Sequence, residues 1–210
     1  MGRTWFQPFG IRIAAVILLA AVSGCYIPAR FDAEIEISRF GTYEMKFEGY
    51  MAQIELYNDL RQKKITQAEE LDRVQIVKND FLRDSSTRAI DYYKQGHFKV
   101  KWQRSGDILQ AKMVTFFRRN ENMLSISYIK ETGQITIKAT PIGPDKAKMI
   151  QEMGLGMEGQ LRVRTDARVV SQNATRQETP ANPKSRTERL YIWDIKSILD
   201  PPASLSLFLQ

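Results

Sequence analysis

Between residues 31 and 48 the apolar and polar side chains alternate with a period of two. Ala33, Ile35 and Ile37 fall on one side of the run Phe31–Arg39, and Asp32, Glu34, Glu36 and Ser38 fall on the other. Beyond Gly41, Tyr43, Met45 and Phe47 alternate with Glu44, Lys46 and Glu48. Successive side chains of a strand point to opposite faces, so this pattern predicts two half-buried strands joined as a hairpin through Phe40-Gly41-Thr42. From Gly49 the spacing lengthens. Met51, Ile54, Tyr57 and Leu60 predict a helix over 50–62. Thr66-Gln67-Ala68-Glu69 has the form of a capping box, and Leu71, Val74, Val77 and Phe81 follow at helical spacing, which predicts a second helix over 67–83. Thr87–Gln95 predicts a further helical piece closed by Gly96.

Strand signals then return. Phe98, Val100 and Trp102 alternate with Lys99, Lys101 and Gln103; Ser105-Gly106-Asp107 reads as a turn, and Leu109–Phe117 as the next strand. Met123–Lys130 and Gln134–Ala139 flank Glu131-Thr132-Gly133 as a second hairpin. Pro144 opens a short helix over 145–153, since proline is tolerated in the first helical turn. A long strand follows from Gln160 to Ala174. Residues 172–188 hold two prolines and almost no apolar side chain, which predicts a mobile loop. Leu190–Ile195 and Ala203–Leu209 close the chain as strands. The order of elements gives an α+β fold: a single domain of mostly antiparallel β-sheet packed with two or three helices.

The first thirty residues follow a different pattern. Arg3 and Arg12 precede the ten-residue apolar run Ile13–Val22, which ends in Val22-Ser23-Gly24-Cys25, and no acid occurs before Asp32. A helix needs about 20 apolar residues to cross the hydrocarbon of a bilayer, so this run is too short to span. It resembles a bacterial lipoprotein signal peptide. The resemblance implies a signal over 1–24, cleavage between Gly24 and Cys25, a diacylglyceryl thioether on Cys25, and acylation of the new terminus. Two or more acyl chains anchor stably where one binds only marginally. Residues 25–30 are then a lipidated tether before a domain over 31–210. Tyr26 in the position that sorts lipoproteins between membranes implies the outer membrane, facing the periplasm, in a Gram-negative host.

Of the 210 residues, 31 are Lys or Arg and 24 are Asp or Glu. Removal of 1–24 takes two arginines and no acid, so the remainder keeps 29 basic side chains, a net charge of +5. An exported chain is not expected to meet nucleic acid, which leaves anionic headgroups or envelope polymers as partners for that charge. Cys25 is the only cysteine, so no disulfide forms within the chain and stability rests on a packed core.

The C-terminal third carries a second resemblance. The long strand Gln160–Ala174, ending beside Asn173, leads through a loop to Tyr191-Ile-Trp-Asp194 and a last strand after Pro201-Pro202. This order, with the early hairpin followed by helices, is similar to the folded part of LppM-type bacterial lipoproteins. The resemblance implies an antiparallel sheet packed with helices and contact with lipid or glycolipid, with no catalytic residues to carry over. Asn173 and Trp193 read as a strand-end turn residue and a core aromatic.

Catalytic chemistry has little to build on. His97 is the only histidine and stands at a turn. With Cys25 taken by lipid, neither a thiol–imidazole pair nor a usual zinc site can be assembled, and no metal or cofactor is expected. Gly154–Gly159 lacks the Lys-Ser/Thr of a phosphate loop. Asp32, Glu34 and Glu36, with Glu44 and Glu48 beside them, form an acidic stripe that could supply two carboxyls for glycoside hydrolysis, but reads more simply as a solvated strand face. Basic side chains form the stronger candidate. Lys99 and Lys101 share one strand face, Arg118 and Arg119 follow, and Arg162 and Arg164 share another face, as possible headgroup ligands. The expected protein is a non-enzymatic, membrane-anchored envelope lipoprotein binding a lipid, an amphipathic ligand or an envelope component. A cavity lined by Met45, Phe47, Met51 and Phe81 would serve that role if those four side chains did not simply fill the core. The alternative is a structural or assembly lipoprotein that binds another envelope protein through the 172–188 loop and an exposed last strand.

Overall fold

The computed structural model describes residues 26–117 and 123–210. The signal-like segment with Cys25, and the pair Arg118 and Arg119, lie outside the described residues. Among the described residues, two sheets and four helices make up the α+β architecture. The first hairpin forms as expected, but it is longer at its open end: β1 runs Tyr26–Ile37 and β2 Thr42–Gln53. Residues 26–30, expected as a tether, are therefore the first five residues of β1. Tyr26 pairs with Gln53 and Ile27 with Ala52. The same pairing displaces the start of the expected helix. Met51 and Ala52 also pair with Phe98 and His97, so they are held in the sheet, and α1 begins only at Ile54–Arg61. The Gln53 side chain caps it by accepting from the Leu56 amide. In α2 (Gln67–Leu82) the capping box between Thr66 and Glu69 is present in both directions.

The expected helix at 87–95 is a strand. β3 (Thr87–Lys94) pairs with β4 (His97–Asp107) across a two-residue turn, Gln95 and Gly96, both at positive φ (48° and 70°). This is the hairpin turn whose twist matches that of strands. A Cβ on Gly96 would stand 2.8 Å from the Tyr57 nitrogen, so glycine is required by space as well as by conformation. Irregularities at Thr87/Ala89 and Tyr92/Lys94 disrupt the alternation that would have marked the strand. Nor is Ser105-Gly106-Asp107 a turn. β4 runs on to pair Asp107 with Thr42, and the chain then makes one helical turn, α3 (Ile108–Ala111), before the short β5 (Met113–Thr115).

β6 (Leu124–Ile129), β7 (Gln134–Ala139) and α4 (Pro144–Glu152) match expectation. The long strand predicted for 160–174 is two strands in two sheets. β8 (Glu158–Thr165) and β9 (Arg168–Gln172) are separated by Asp166-Ala167, where the Thr165 hydroxyl accepts from the Ala167 amide at 3.1 Å. The stretch expected as a mobile loop contains β10 (Arg176–Glu178), paired with β11 (Arg189–Ile195). β12 (Ser204–Phe208) ends the chain, between β7 and β9. It is interior to its sheet, so the exposed last strand proposed for strand addition does not exist.

The larger sheet has the order β10-β11-β8-β1-β2-β4-β3 and the smaller β5-β6-β7-β12-β9. All pairs are antiparallel except β1 with β8. The inner face of the larger sheet, the smaller sheet and α2 share one core. Phe116 and Phe117 of the smaller sheet's leading segment pack on Phe47 and Trp102 at centroid distances of 5.0–6.3 Å. Met45, Phe47, Met51 and Phe81 are all buried in it as parts of the packed core. A smaller cluster of Ile27, Ala52, Ile54, Ala147, Ile150, Leu155 and Ile198 seats α4 near the start of β1. The described members of both clusters all lie within residues 26–210, the part expected to remain after signal removal.

Asn173 ties the two sheets where the chain passes between them. Its Oδ1 accepts from Trp193 Nε1 of β11 and from the Ser204 amide of β12, both at 2.8 Å, and its Nδ2 donates to Pro202 O at 2.9 Å. The turn residue and core aromatic singled out in the sequence are thus bonded to each other. Asn173→Ala removes three hydrogen bonds and leaves the indole N–H of a buried Trp193 unpaired. It is expected to lower stability by about 1–3 kcal/mol in urea denaturation; a midpoint equal to that of the parent would show that the tie carries no weight.

Candidate functional site

The outer face of the larger sheet collects most of the charged side chains singled out above. Register places Lys46, Glu34 and Arg162 in one row across β2, β1 and β8, and Glu44, Glu36 and Arg164 in the next. The acidic stripe and the basic face are therefore one surface, and they neutralise each other. Arg162 bonds Asp32, with Nη2 to Oδ1 at 2.5 Å and Nη1 to Oδ2 at 3.0 Å, and lies 3.6 Å from Glu34. Lys101 pairs with Glu48 at 3.0 Å and Lys46 with Glu44 at 2.8 Å. Lys46 donates to Glu44 and so holds its carboxyl below the ordinary range, against the opposing effect of burial. Lys184 reaches Glu36 from the 172–188 segment. This arrangement leaves no pair of unoccupied carboxylates flanking a cleft in the stripe.

Arg164 is engaged most deeply. Its Nε and Nη2 bind the Glu188 carboxylate at 2.8 and 2.9 Å, and Nη2 donates to Asn182 O at 2.6 Å. Glu188 is 3% exposed, and it also accepts from the Lys184 amide. With Pro180 buried as well, residues 180–188 form a strap fastened across the end of β8.

Lys99 differs from these pairs. It stands in the row Lys99–Tyr50–Arg30–Glu158 across β4, β2, β1 and β8, at the end of the sheet where β1 begins. A cleft of about 460 Å³ opens there, lined by Arg30, Tyr50, Tyr57, Tyr93, Lys94 and His97, with Gly154–Gly156 and Glu158 on the far wall. That volume lies within the range of small-ligand sites. Leu155, buried in the smaller core cluster, anchors the far wall. Tyr57 Oη donates to Met153 O at 3.1 Å and fixes α1 to the segment after α4. Tyr50 and Tyr93 rings lie 5.3 Å apart, and Lys94 Nζ stands 5.1 Å from the centre of the Tyr93 ring. His97 meets Tyr57 edge-on at 5.6 Å, and its Nδ1 lies 2.9 Å from Gln95 O. Behind the turn, burial and a hydrogen bond to Glu70 push the Tyr92 hydroxyl up to about 12, so it stays protonated and braces α2 against the hairpin.

Among the described residues no carboxylate pairs with Arg30, Lys94 or Lys99. The chemistry on offer is aromatic faces beside unneutralised cations, with two exposed acids, Glu158 and Asp91, at the margin. Of the basic residues singled out in the sequence, Lys99 stands next to Tyr50 of the cleft but is not part of its lining; Lys101, Arg162 and Arg164 are ion-paired elsewhere on the face. No sequence pattern marked Arg30, Tyr50, Tyr57 and Tyr93. Arg30 fell in the expected tether, Tyr50 and Tyr57 in one expected helix and Tyr93 in another, and only a correct reading of the Gln95-Gly96 turn brings them together. Among the described residues no cluster of three or more His, Cys, Asp or Glu could hold a metal ion, and no helix is long and apolar enough to cross a membrane.

No protein-family model matches the chain, and no curated protein sequence matches it. The fold is similar to the solution structure of the folded domain of LppM from Mycobacterium tuberculosis, with a TM-score of 0.43 and 14% identity over 86% of this chain and 90% of that one.

The strap gives a pH-dependent prediction. Arg164 donates to Glu188 and holds its carboxyl below the ordinary value, with burial opposing and the Lys184 amide assisting. A carboxyl lowered by folding adds stability above its unfolded pKa of about 4.3, and that stability is lost as pH falls through the lowered folded value. Amide exchange over 182–188, corrected for intrinsic rates, should accelerate as the pH drops below about 4. Glu188→Gln should loosen the strap at neutral pH by about 1–3 kcal/mol and abolish the acid dependence. Unchanged protection in the variant would show that the ion pair does not fasten the strap.

Proposed function

We propose that the protein is a lipid-anchored component of the bacterial cell envelope, not an enzyme, and that the cleft at the start of β1 holds the anionic headgroup of an amphipathic envelope molecule. The observation that carries this reading is one of position. The cations Arg30, Lys94 and Lys99, without carboxylate partners, gather with three tyrosines at the end where β1 begins. Tyr26, the first residue of that strand, directly follows the only cysteine. With Cys25 carrying lipid after removal of residues 1–24, no spacer stands between anchor and sheet, and the cleft is held at headgroup depth. Tyr26 next to Cys25 favours the outer membrane of a Gram-negative host. Tyrosine rings stack on ring or glycerol carbons while guanidinium and ammonium groups meet phosphate. The non-enzymatic reading is supported by the ion-paired carboxylates and by a histidine engaged with Gln95 and Tyr57. The alternative, assembly with another envelope protein, would have to use the 172–188 segment, because β12 is interior to its sheet and offers no edge for strand addition.

Two experiments test this. In the native host, fatty-acid label should enter the parent and be absent from Cys25→Ser, which should accumulate as uncut precursor; label in the variant would remove the anchor. Residues 26–210 should bind a soluble short-chain phosphatidylglycerol in NMR titration. Arg30→Gln or Tyr50→Ala should weaken that binding about fivefold or more, as expected for loss of about 1 kcal/mol or more, while Lys101→Gln has no effect. Equal binding by all four proteins would rule out the cleft.

A further inference from the structure

The end of the molecule opposite Tyr26 is knit by main-chain hydrogen bonds between turns far apart in sequence. Gly41 O accepts from the Ile108 amide at 2.9 Å, Ile108 O from Lys112 at 2.8 Å, and Lys112 O from Tyr128 at 2.8 Å. Ile129 O accepts from Gly133 at 2.9 Å, Gly133 O from Leu209 at 3.3 Å, and Arg39 O from Gln210 at 3.1 Å. The β1–β2 turn, α3, the β6–β7 turn and the chain end thus form one cap. Exposed apolar side chains are normal when scattered singly. Here four share the cap: Phe40 at 63% exposure, Met113 at 59%, Ile129 at 42% and Leu109 at 41%. Lys112 adopts a φ of 60°, a left-handed conformation that strains a non-glycine residue. It ends α3 after one turn, between exposed Leu109 and Met113.

The charge around these side chains is one-sided. The Arg39 guanidinium stands 4.9 Å from the Phe40 ring centre and Arg168 5.8 Å from that of Phe208, while Lys112 and Lys130 are exposed on the same end. Nearby acids are mostly occupied. Asp107 accepts from the Leu109 amide at 2.8 Å, and Asp166 accepts from the Arg39 amide at 2.7 Å and lies 3.7 Å from its guanidinium. Among the described residues, only Glu131 is an exposed acid in the turns of the cap.

We infer that this cap is a second membrane-contact surface, in which Phe40, Leu109 and Met113 enter the interface of an anionic bilayer and Lys112, Lys130 and Arg168 meet its phosphates. Apolar tips ringed by cations suit such a surface, where buried apolar area and attraction to anionic lipid add together. The cap goes beyond the headgroup cleft: a twelve-residue strand, about 36 Å at 3.3 Å per residue, separates the two.

The test uses residues 26–210 and vesicles of phosphatidylcholine with or without phosphatidylglycerol. In Phe40→Trp the emission should shift to the blue on addition of anionic vesicles only, and the signal is readable because Trp102 and Trp193 are buried at 1% and 4% exposure. The double variant Phe40→Ser/Met113→Ser should bind about tenfold more weakly and Lys112→Gln about fivefold, with unfolding midpoints unchanged since these side chains are exposed. Lys101→Gln, whose ammonium is paired with Glu48, should leave vesicle binding intact, and the double variant should still bind soluble short-chain phosphatidylglycerol like the parent, which separates failure of the cap from failure of the cleft. The inference is overturned if the double variant binds vesicles like the parent, if only the cleft substitutions weaken binding, or if Phe40→Ser instead abolishes a stoichiometric protein complex while the parent ignores vesicles.

Discussion

Three carboxylates on one face of one strand set the terms for the larger sheet. Asp32, Glu34 and Glu36 repeat every second residue of β1, about 7 Å apart. At that spacing each adjacent pair repels by about 0.6 kcal/mol in water and about 2.4 kcal/mol at the effective dielectric of a protein surface. β1 lies between β2 and β8, and positive charge comes from both sides: Arg162 on β8 pairs with Asp32 and Glu34, Lys46 on β2 stands opposite Glu34, and Lys184 of the strap reaches Glu36. An exposed ion pair is worth only about 0–1 kcal/mol on its own. Here the pairs also cancel repulsion that an unmatched register would leave standing, and a slip of one residue would turn these charges into the core. Charge and hydrophobicity therefore select the same pairing, including the single parallel one.

The lattice is not uniform, and its exception locates the candidate site. Toward the hairpin turn every carboxylate of the stripe has a cation, and the strap adds Lys184. Toward Tyr26 the pattern stops: Lys99 and Arg30 flank Tyr50 and Lys94 stands by the Tyr93 ring, and among the described residues none of the three forms an ion pair, although Asp91 stands opposite Lys99 and Glu158 opposite Arg30. A cation beside a tyrosine ring keeps most of its field available to an incoming anion, whereas one held by carboxylates must first break those contacts. This contrast separates Lys99 from Lys101, two residues apart on the same strand face and equivalent in the sequence.

What was legible in the sequence follows from which signals are local. The β1–β2 hairpin, α2 with its capping box, the buried face of β4 and the β6–β7 hairpin all depend on periodicity within one element, and all were readable. The failures lie where a distant partner decides. Met51 and Ala52 fit a helix by spacing, yet ladder bonds from β1 and β4 keep them extended. Thr87–Lys94 lost its alternation to two irregularities, so the strand passed for a helix. Thr165 and Arg168 belong to one apparent strand, but the intervening Asp166 binds Arg39, 127 residues away, and the chain crosses from one sheet to the other. The charged residues were seen as two separate patches because pairing β1 with β8 requires a contact across 130 residues that no pattern announces.

That crossing also explains why the two ends of the molecule differ in character. At the Tyr26 end, α1, α4 and the segment after it fold over the outer face of the larger sheet and close a concave, tyrosine-lined wall. At the other end neither sheet is covered by a helix longer than one turn, so four connecting segments must satisfy one another's main-chain groups directly. Tight mutual hydrogen bonding turns the backbone inward and leaves side chains at the turn apices pointing out. Phe40 and Leu109 are exposed for that reason, and the same rigidity that orders the cap prevents them from collapsing onto it. A flexible loop could hide a phenylalanine; a turn held by Gly41, Ile108 and Arg39 on three sides cannot.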